Sequence, residues 1–134
     1  MRLINNRLIA FAVFAILLIA PAHQALSQQK ELLYGEWVFD KYELKDGRSY
    51  SVTDNTNKGL TFVFLANGKF KSSHPGGRVQ NNFEGVFRYY PDKKNLVIEH
   101  PVEGTDKIRV FIISKTTLKL FYDDDHPLMV FKKK

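Results

Sequence analysis

The chain has 134 residues, of which 44 % are hydrophobic and 25 % are charged, and it contains no cysteine. This composition is typical of one globular domain and excludes a disordered chain. Without Cys the chain has no disulfides, no thiolate metal site and no thiol nucleophile. The net charge is +6, but no block of Lys and Arg is interleaved with stacking aromatic residues. Nucleic acid is therefore not an expected partner.

The N-terminal segment predicts export. Arg2 and Arg7 precede an apolar run of thirteen residues, 8–20, which Pro21 ends. The run has the length of the hydrophobic region of a signal peptide, whereas a membrane-spanning helix needs about 20 residues. An uncleaved N-terminal anchor is the alternative.

The small residues Ala25 and Ser27 predict cleavage after Ser27, with cleavage after Ala25 as the alternative. The predicted organisation is a signal peptide over residues 1–27 and one domain over residues 28–134. Without Arg2 and Arg7 the net charge of the domain is +4. We expect a periplasmic or secreted protein with no stable membrane anchor after cleavage.

From residue 36 onward, apolar and polar residues alternate with the period of two that is typical of strands. The eight predicted strands are Glu36–Leu44, Leu60–Leu65, Lys69–Ser73, Asn82–Tyr90, Asn95–His100, Lys107–Ser114, Thr117–Tyr122 and Leu128–Lys132. The two longest connections are Arg48–Gly59 and His74–Asn81, and Asn67-Gly68 predicts a two-residue hairpin. Connections this short cannot contain parallel crossovers, so the strands are predicted to form an antiparallel meander.

A meander of this kind can close into a barrel or pack as two sheets. Sandwiches usually need long Greek-key connections, so the barrel is favoured. The residues predicted to face inward are Trp37, Phe39, Phe62, Phe64, Phe70, Phe83, Gly85, Phe87, Tyr89, Leu96, Ile98, Ile108, Val110, Ile112, Leu118, Leu120, Tyr122, Leu128 and Val130. Their charged neighbours are predicted to face water, and these are Lys69, Lys71, Glu84, Arg88, Glu99, Arg109 and Lys119.

The opening Leu33-Tyr34-Gly35-Glu36-Trp37, followed by Leu60-Thr61-Phe62-Val63-Phe64 and Asn67-Gly68-Lys69-Phe70, resembles the small lipocalin-like domain family of exported Bacteroidetes proteins. The resemblance covers residues 32–133 and implies an all-β, eight-stranded antiparallel up-and-down (calycin) barrel with an apolar ligand. Gly35 and Trp37 carry its structural motif. Animal-type lipocalins place an Arg from a late strand across this Trp, and this chain offers only Lys119 or Lys132 there.

An eight-stranded barrel is either filled by side chains or holds one small ligand. In an up-and-down meander the two long connections share one rim. We expect this rim to be the mouth, opposite an end that Trp37 and a turn at Lys30–Tyr34 close. The predicted ligand-binding residues are Phe39, Phe62, Phe64, Phe70, Phe83, Phe87 and Tyr89 inside the barrel, with Tyr50, His74 and Arg78 at the mouth. His74 and Arg78 suit the carboxylate of an amphiphile such as a fatty acid.

No catalytic or metal-binding motif accompanies these residues. His74, His100 and His126 lie at predicted turns or strand ends without ligand spacing, and they are expected to be solvated. Asp123-Asp124-Asp125 lacks the spacing of a calcium loop. We therefore expect no enzyme, no metal and no cofactor.

Three functions stay open at this point. The first is non-catalytic binding of a small hydrophobic or amphiphilic molecule in the barrel. The second is an envelope protein-interaction module whose barrel core is filled. The third is an enzyme of lipocalin shape, which needs a titratable group inside, and the predicted inward face offers only Tyr hydroxyls.

Overall fold

The structure is a computed structural model that describes residues 25–50, 57–76 and 82–134. A helix, α1, occupies residues 25–33. No helix within the described ranges is long and apolar enough to cross a membrane. The strands that follow are β1 Gly35–Glu43, β2 Ser49–Tyr50, β3 Thr61–Phe64, β4 Lys69–Ser73, β5 Phe83–Tyr90, β6 Asn95–His100, β7 Gly104–Ile113, β8 Thr117–Phe121 and β9 Leu128–Lys133.

The strands form a closed antiparallel barrel. Each strand from β3 to β8 pairs with the next one in sequence, and β1 pairs with β3 on one side and with β9 on the other. Trp37, for example, lies opposite Phe62 of β3 and Lys133 of β9. The predicted eight-stranded up-and-down barrel is confirmed.

Strand β2 was not predicted. Its two residues pair with Tyr42 and Glu43 of β1, and it lies within the connection predicted at Arg48–Gly59. Two residues are too few to show a period of two, so sequence periodicity could not reveal this strand. It continues the pairing of β1 beyond Val38, whose partner Thr61 is the first residue of β3.

A β-bulge in β7 makes one predicted inward position wrong. The register shifts between Val110 and Ile112, and Ile112 is 42 % exposed while Ile113 packs against the core. One extra residue reverses the faces of every following residue, because side chains alternate strictly along a strand. A similar shift in β1, between Phe39 and Lys41, turns Tyr42 toward the core.

The predicted alternation is also shifted by one residue in β9. Met129 and Phe131 belong to the continuous core, opposite Leu120 and Leu118, whereas the prediction was Leu128 and Val130. Leu128 and Val130 are buried but lie outside that core. Val130 pairs with Lys119, so the two share a face of the sheet.

Helix α1 closes one end of the barrel over Trp37. The indole is fully buried, and its Nε1 donates a hydrogen bond of 2.8 Å to the carbonyl oxygen of Leu33. This bond joins the end of the helix to the first strand. The end of the barrel near Trp37 is called the closed end below.

Lys133 lies across the indole of Trp37, with its Nζ 4.6 Å from the ring centroid. The same ammonium donates to the backbone oxygens of Leu32 and Tyr34 at the end of α1. Gly35 leaves the necessary space, because a Cβ built there would lie 2.7 Å from Lys133 Cε. Burial lowers the pKa of Lys133 below its usual value.

The two lysines expected across the Trp lie elsewhere. Lys119 is a half-buried residue whose Nζ is 2.6 Å from Glu43 Oε1, and Lys132 donates to the hydroxyl of Thr117. Each of these lysines is next in sequence to a core residue, since Lys119 lies between Leu118 and Leu120 and Lys132 follows Phe131. Successive side chains point to opposite faces of a strand, so neither lysine side chain points into the barrel. The predictions of Lys119 or Lys132 at this position are wrong.

Candidate functional site

A cavity of about 480 Å³ opens at the end of the barrel opposite α1. Its walls are formed by strand ends at this rim and by the connections that follow β1, β4, β6 and β8. The lining residues are Asn57, Leu60, Phe62, Phe70, Ser72, Phe83, Ile98, His100, Glu103, Asp106, Tyr122 and Met129. The volume falls within the range of small-molecule sites in proteins, about 300–1,000 Å³.

The floor of the cavity is apolar. Phe62, Phe70 and Ile98 are buried inward residues of β3, β4 and β6. The rings of Phe62 and Phe70 meet edge to face, with their centroids 5.2 Å apart. Below them the barrel is filled, with Phe64 against Phe87 at 5.0 Å.

Ser72 leaves the space above this floor. It is the next inward residue of β4 after Phe70, and its register partners are Phe62 on β3 and Phe83 on β5. A small side chain between two aromatic ones removes the volume that would otherwise fill the barrel at this level. Ser72 is almost fully buried.

A histidine–carboxylate pair forms one wall of the cavity. His100 Nε2 lies 2.5 Å from Asp106 Oδ2, and the imidazole packs on Phe83 with ring centroids 4.1 Å apart. The His100 side chain is only 12 % exposed, whereas that of Asp106 is 53 % exposed. A titratable pair therefore borders the cavity, where the sequence suggested only Tyr hydroxyls.

Tyr122 lines the cavity from the connection after β8. Burial raises the pKa of its phenol, and the nearby Asp106 carboxylate raises it further. The residue as a whole is 39 % exposed, and its surroundings disfavour a phenolate.

A smaller cavity of about 300 Å³ adjoins the first at the same rim. It shares Tyr122 and Met129 with it and is otherwise lined by Tyr42, Asp123, His126 and Pro127. His126 Nδ1 lies 2.6 Å from Asp123 Oδ1. That bond raises the pKa of His126 and lowers the pKa of Asp123.

Three of the ten predicted ligand-binding residues, Phe62, Phe70 and Phe83, line the main cavity. Four others belong to the filled core and do not line it, namely Phe39, Phe64, Phe87 and Tyr89. His74 is 4 % exposed and lies outside the lining, and its backbone N–H donates to Asn82 Oδ1 at 2.9 Å. The side chain of Tyr50 and the whole of Arg78 lie outside the described residues.

The polar residues of the cavity wall were not predicted from the sequence. Two of them were detectable, because Ser72 and His100 continue the inward alternation of Phe70 in β4 and of Ile98 in β6. The other three, Asn57, Glu103 and Asp106, come from turns or from a strand start whose direction depends on the closed barrel.

The expectation that all three histidines are solvated is wrong. His74 is buried and the His100 side chain nearly so, whereas the His126 side chain is 69 % exposed. Within the described ranges, no three His, Asp or Glu residues are grouped so that they could hold a metal ion.

The chain is similar in structure to two solved Bacteroides proteins. A lipocalin-like protein from Bacteroides uniformis ATCC 8492 is 21 % identical, with a TM-score of 0.56 over 77 % of this chain and 99 % of that one. An uncharacterized protein from Bacteroides eggerthii DSM 20697 is 15 % identical, with a TM-score of 0.53 over 76 % of this chain and 99 % of that one. No family model and no curated protein matches the chain. The resemblance to lipocalin-like Bacteroidetes proteins is confirmed at the level of the fold.

Proposed function

From the lipocalin-like barrel and the cavity at its open end, we propose that the protein binds one small hydrophobic or amphiphilic molecule without converting it. The observation that carries the proposal is the cavity of about 480 Å³ above the apolar floor of Phe62, Phe70 and Ile98. Apolar surface there gains free energy when a ligand displaces water, at about 25 cal/mol per Å².

A neutral fluorescent probe, N-phenyl-1-naphthylamine, tests the proposal. We expect saturable binding with a Kd in the micromolar range or below, on the order of −8 kcal/mol. The variant Ser72→Leu extends a side chain into the cavity and is expected to weaken binding at least about tenfold by excluded volume. Lys71→Leu, at the neighbouring exposed position of β4, is the matched control and should bind like the wild type.

Equal probe affinity in Ser72→Leu and the wild type contradicts binding in this cavity. Absence of saturable binding to the wild type leaves the interaction module as the leading function. Mass spectrometry of a bound natural ligand, recovered after incubation, checks that no conversion occurs. Appearance of a product would favour an enzyme.

We also propose that the protein is exported and that residues 1–27 are removed. Support comes from the sequence, in which Arg2 and Arg7 precede a short apolar run. Residues 1–24 lie outside the described part of the chain. Cleavage after Ser27 retains Leu33, whose carbonyl oxygen accepts the hydrogen bond from Trp37.

Intact mass of the protein from cell fractions tests export. We expect a soluble periplasmic or secreted species that begins at Gln28. A species of full-length mass in the membrane fraction contradicts cleavage and favours the N-terminal anchor.

A further inference from the structure

The main cavity has acidic side chains but no Lys or Arg among its described lining residues. Glu103 and Asp106 contribute two carboxylates to it. This contrasts with the chain as a whole, which has 20 Lys and Arg against 14 Asp and Glu. Even with His100 protonated, the described wall carries a net negative charge.

The acidic groups lie at the mouth and the apolar groups lie below them. Glu103 is exposed in the turn between β6 and β7, and Asp106 is half-exposed at the start of β7. Phe62, Phe70 and Ile98 form the buried floor. A ligand that enters tail first therefore leaves its head group beside two carboxylates.

Two aromatic rings border the same mouth. Phe83 packs against His100, and the charge of Asp106 acts on the phenol of Tyr122. Aromatic faces attract cations, and ionised carboxylates form strong hydrogen bonds with ammonium groups. The Asp106 carboxylate also contributes to the raised pKa of Tyr122, in addition to burial, so it disfavours an anion beside it.

We infer that the ligand is a cationic amphiphile, with a primary ammonium group held by Asp106 and Glu103 at the mouth and an apolar tail on the Phe62 and Phe70 floor. This inference rests on the proposed function and names the class of its ligand. It differs from the fatty-acid expectation, in which His74 and Arg78 hold a carboxylate. His74 does not line the cavity.

Three ligands of equal chain length and different charge test the inference: decylamine, decanol and decanoate. Each competes with N-phenyl-1-naphthylamine below the concentration at which it forms micelles or, for decanol, separates from water. We expect decylamine to bind about tenfold or more tightly than decanoate, because one head group is attracted and the other repelled by the same carboxylates. Decanol should lie between them.

Variants of the mouth separate charge recognition from folding. We expect Asp106→Asn and Glu103→Gln each to weaken decylamine binding about five- to tenfold while the decanol affinity stays unchanged. Asp125→Asn, an exposed acid on the same rim outside the lining, is the matched control and should change neither affinity.

Each contrary outcome has its own meaning. Tighter binding of decanoate, lost in Arg78→Gln, overturns the cationic ligand and leaves the proposed function standing in its fatty-acid form. Equal affinity for the three ligands also overturns it, because head-group charge then plays no role. Failure of all three ligands and of the neutral probe to bind contradicts the proposed function itself.

Discussion

The two ends of the barrel use similar strand positions in opposite ways. At the closed end, inward residues are large and apolar, and Trp37 is enclosed by α1 and Lys133. At the open end, the same alternation places Ser72 and His100 where a large apolar residue would fill the barrel. The closed end contributes stability, and the open end gives up core volume for a cavity.

The hydrogen-bond partners of polar side chains also differ between the two ends. At the closed end, the polar atoms of Trp37 and Lys133 bond to backbone carbonyls and hold the helix in place. At the open end, side chains bond to each other, as in the His100–Asp106 and His126–Asp123 pairs. Groups that bond to the backbone order the fold, whereas side-chain pairs at a rim can exchange partners with a ligand.

The largest expected loss in the free energy of unfolding comes from a substitution at the closed end. Trp37→Ala is expected to lower the free energy of unfolding by about 3–5 kcal/mol, because it leaves a cavity in a fully packed region. Phe83→Ala, at the half-buried wall of the open end, should cost only about 1–2 kcal/mol. Urea denaturation of both variants measures the difference. Similar losses at the two ends would contradict the proposed division.

The second-largest expected loss of stability concerns the contacts of Lys133, which join β9 to the end of α1. Lys133→Met keeps the stem but loses the cation–π contact and two hydrogen bonds to the end of α1, with an expected cost of about 1–3 kcal/mol. Lys132→Met is the control, because the Lys132 side chain is exposed and donates to the hydroxyl of Thr117, and this substitution should cost less than about 0.5 kcal/mol. A Lys133→Met variant as stable as Lys132→Met would show that the ammonium does not hold the helix.

The smallest effect concerns the rim pair His126–Asp123. NMR titration should show a His126 pKa above 6.5, since the Asp123 carboxylate favours the imidazolium. Asp123→Asn should return this pKa toward 6.5, whereas Asp124→Asn should leave it raised. Because the folded-state pKa is raised, the stabilisation is present below pH 6.5 and disappears as the pH rises through the folded-state value. An unchanged His126 pKa in Asp123→Asn would exclude the pair in solution.

Much of the barrel could be predicted from local pattern. Every predicted strand exists, and the hairpin at Asn67-Gly68 joins β3 to β4. The predictions of inward-facing residues fail at Ile112, where a β-bulge adds one residue to β7, and at Leu128, where the inward alternation of β9 is shifted by one residue. Both strands are apolar on adjacent positions, so hydrophobicity alone does not identify the inward face.

The site was less predictable than the fold. Phe62, Phe70 and Phe83 were expected in the lining because they alternate on the inward face. Phe87 and Tyr89 alternate in the same way but lie at the closed end, and the pattern of a strand does not show at which depth the barrel is filled. Depth depends on which side chains from other strands meet at one level.

The sequence by itself determined the eight strands of the barrel, their antiparallel order, the closed end at Trp37 and the rim shared by the long connections. These properties depend on local periodicity, turn residues and connection length, which act over a few neighbouring residues. Only the tertiary structure decided that Lys133 covers Trp37 and that Asp106 meets His100 beside the cavity. Those contacts depend on register and on bulges across the closed barrel, where a shift of one residue turns a side chain to the other face.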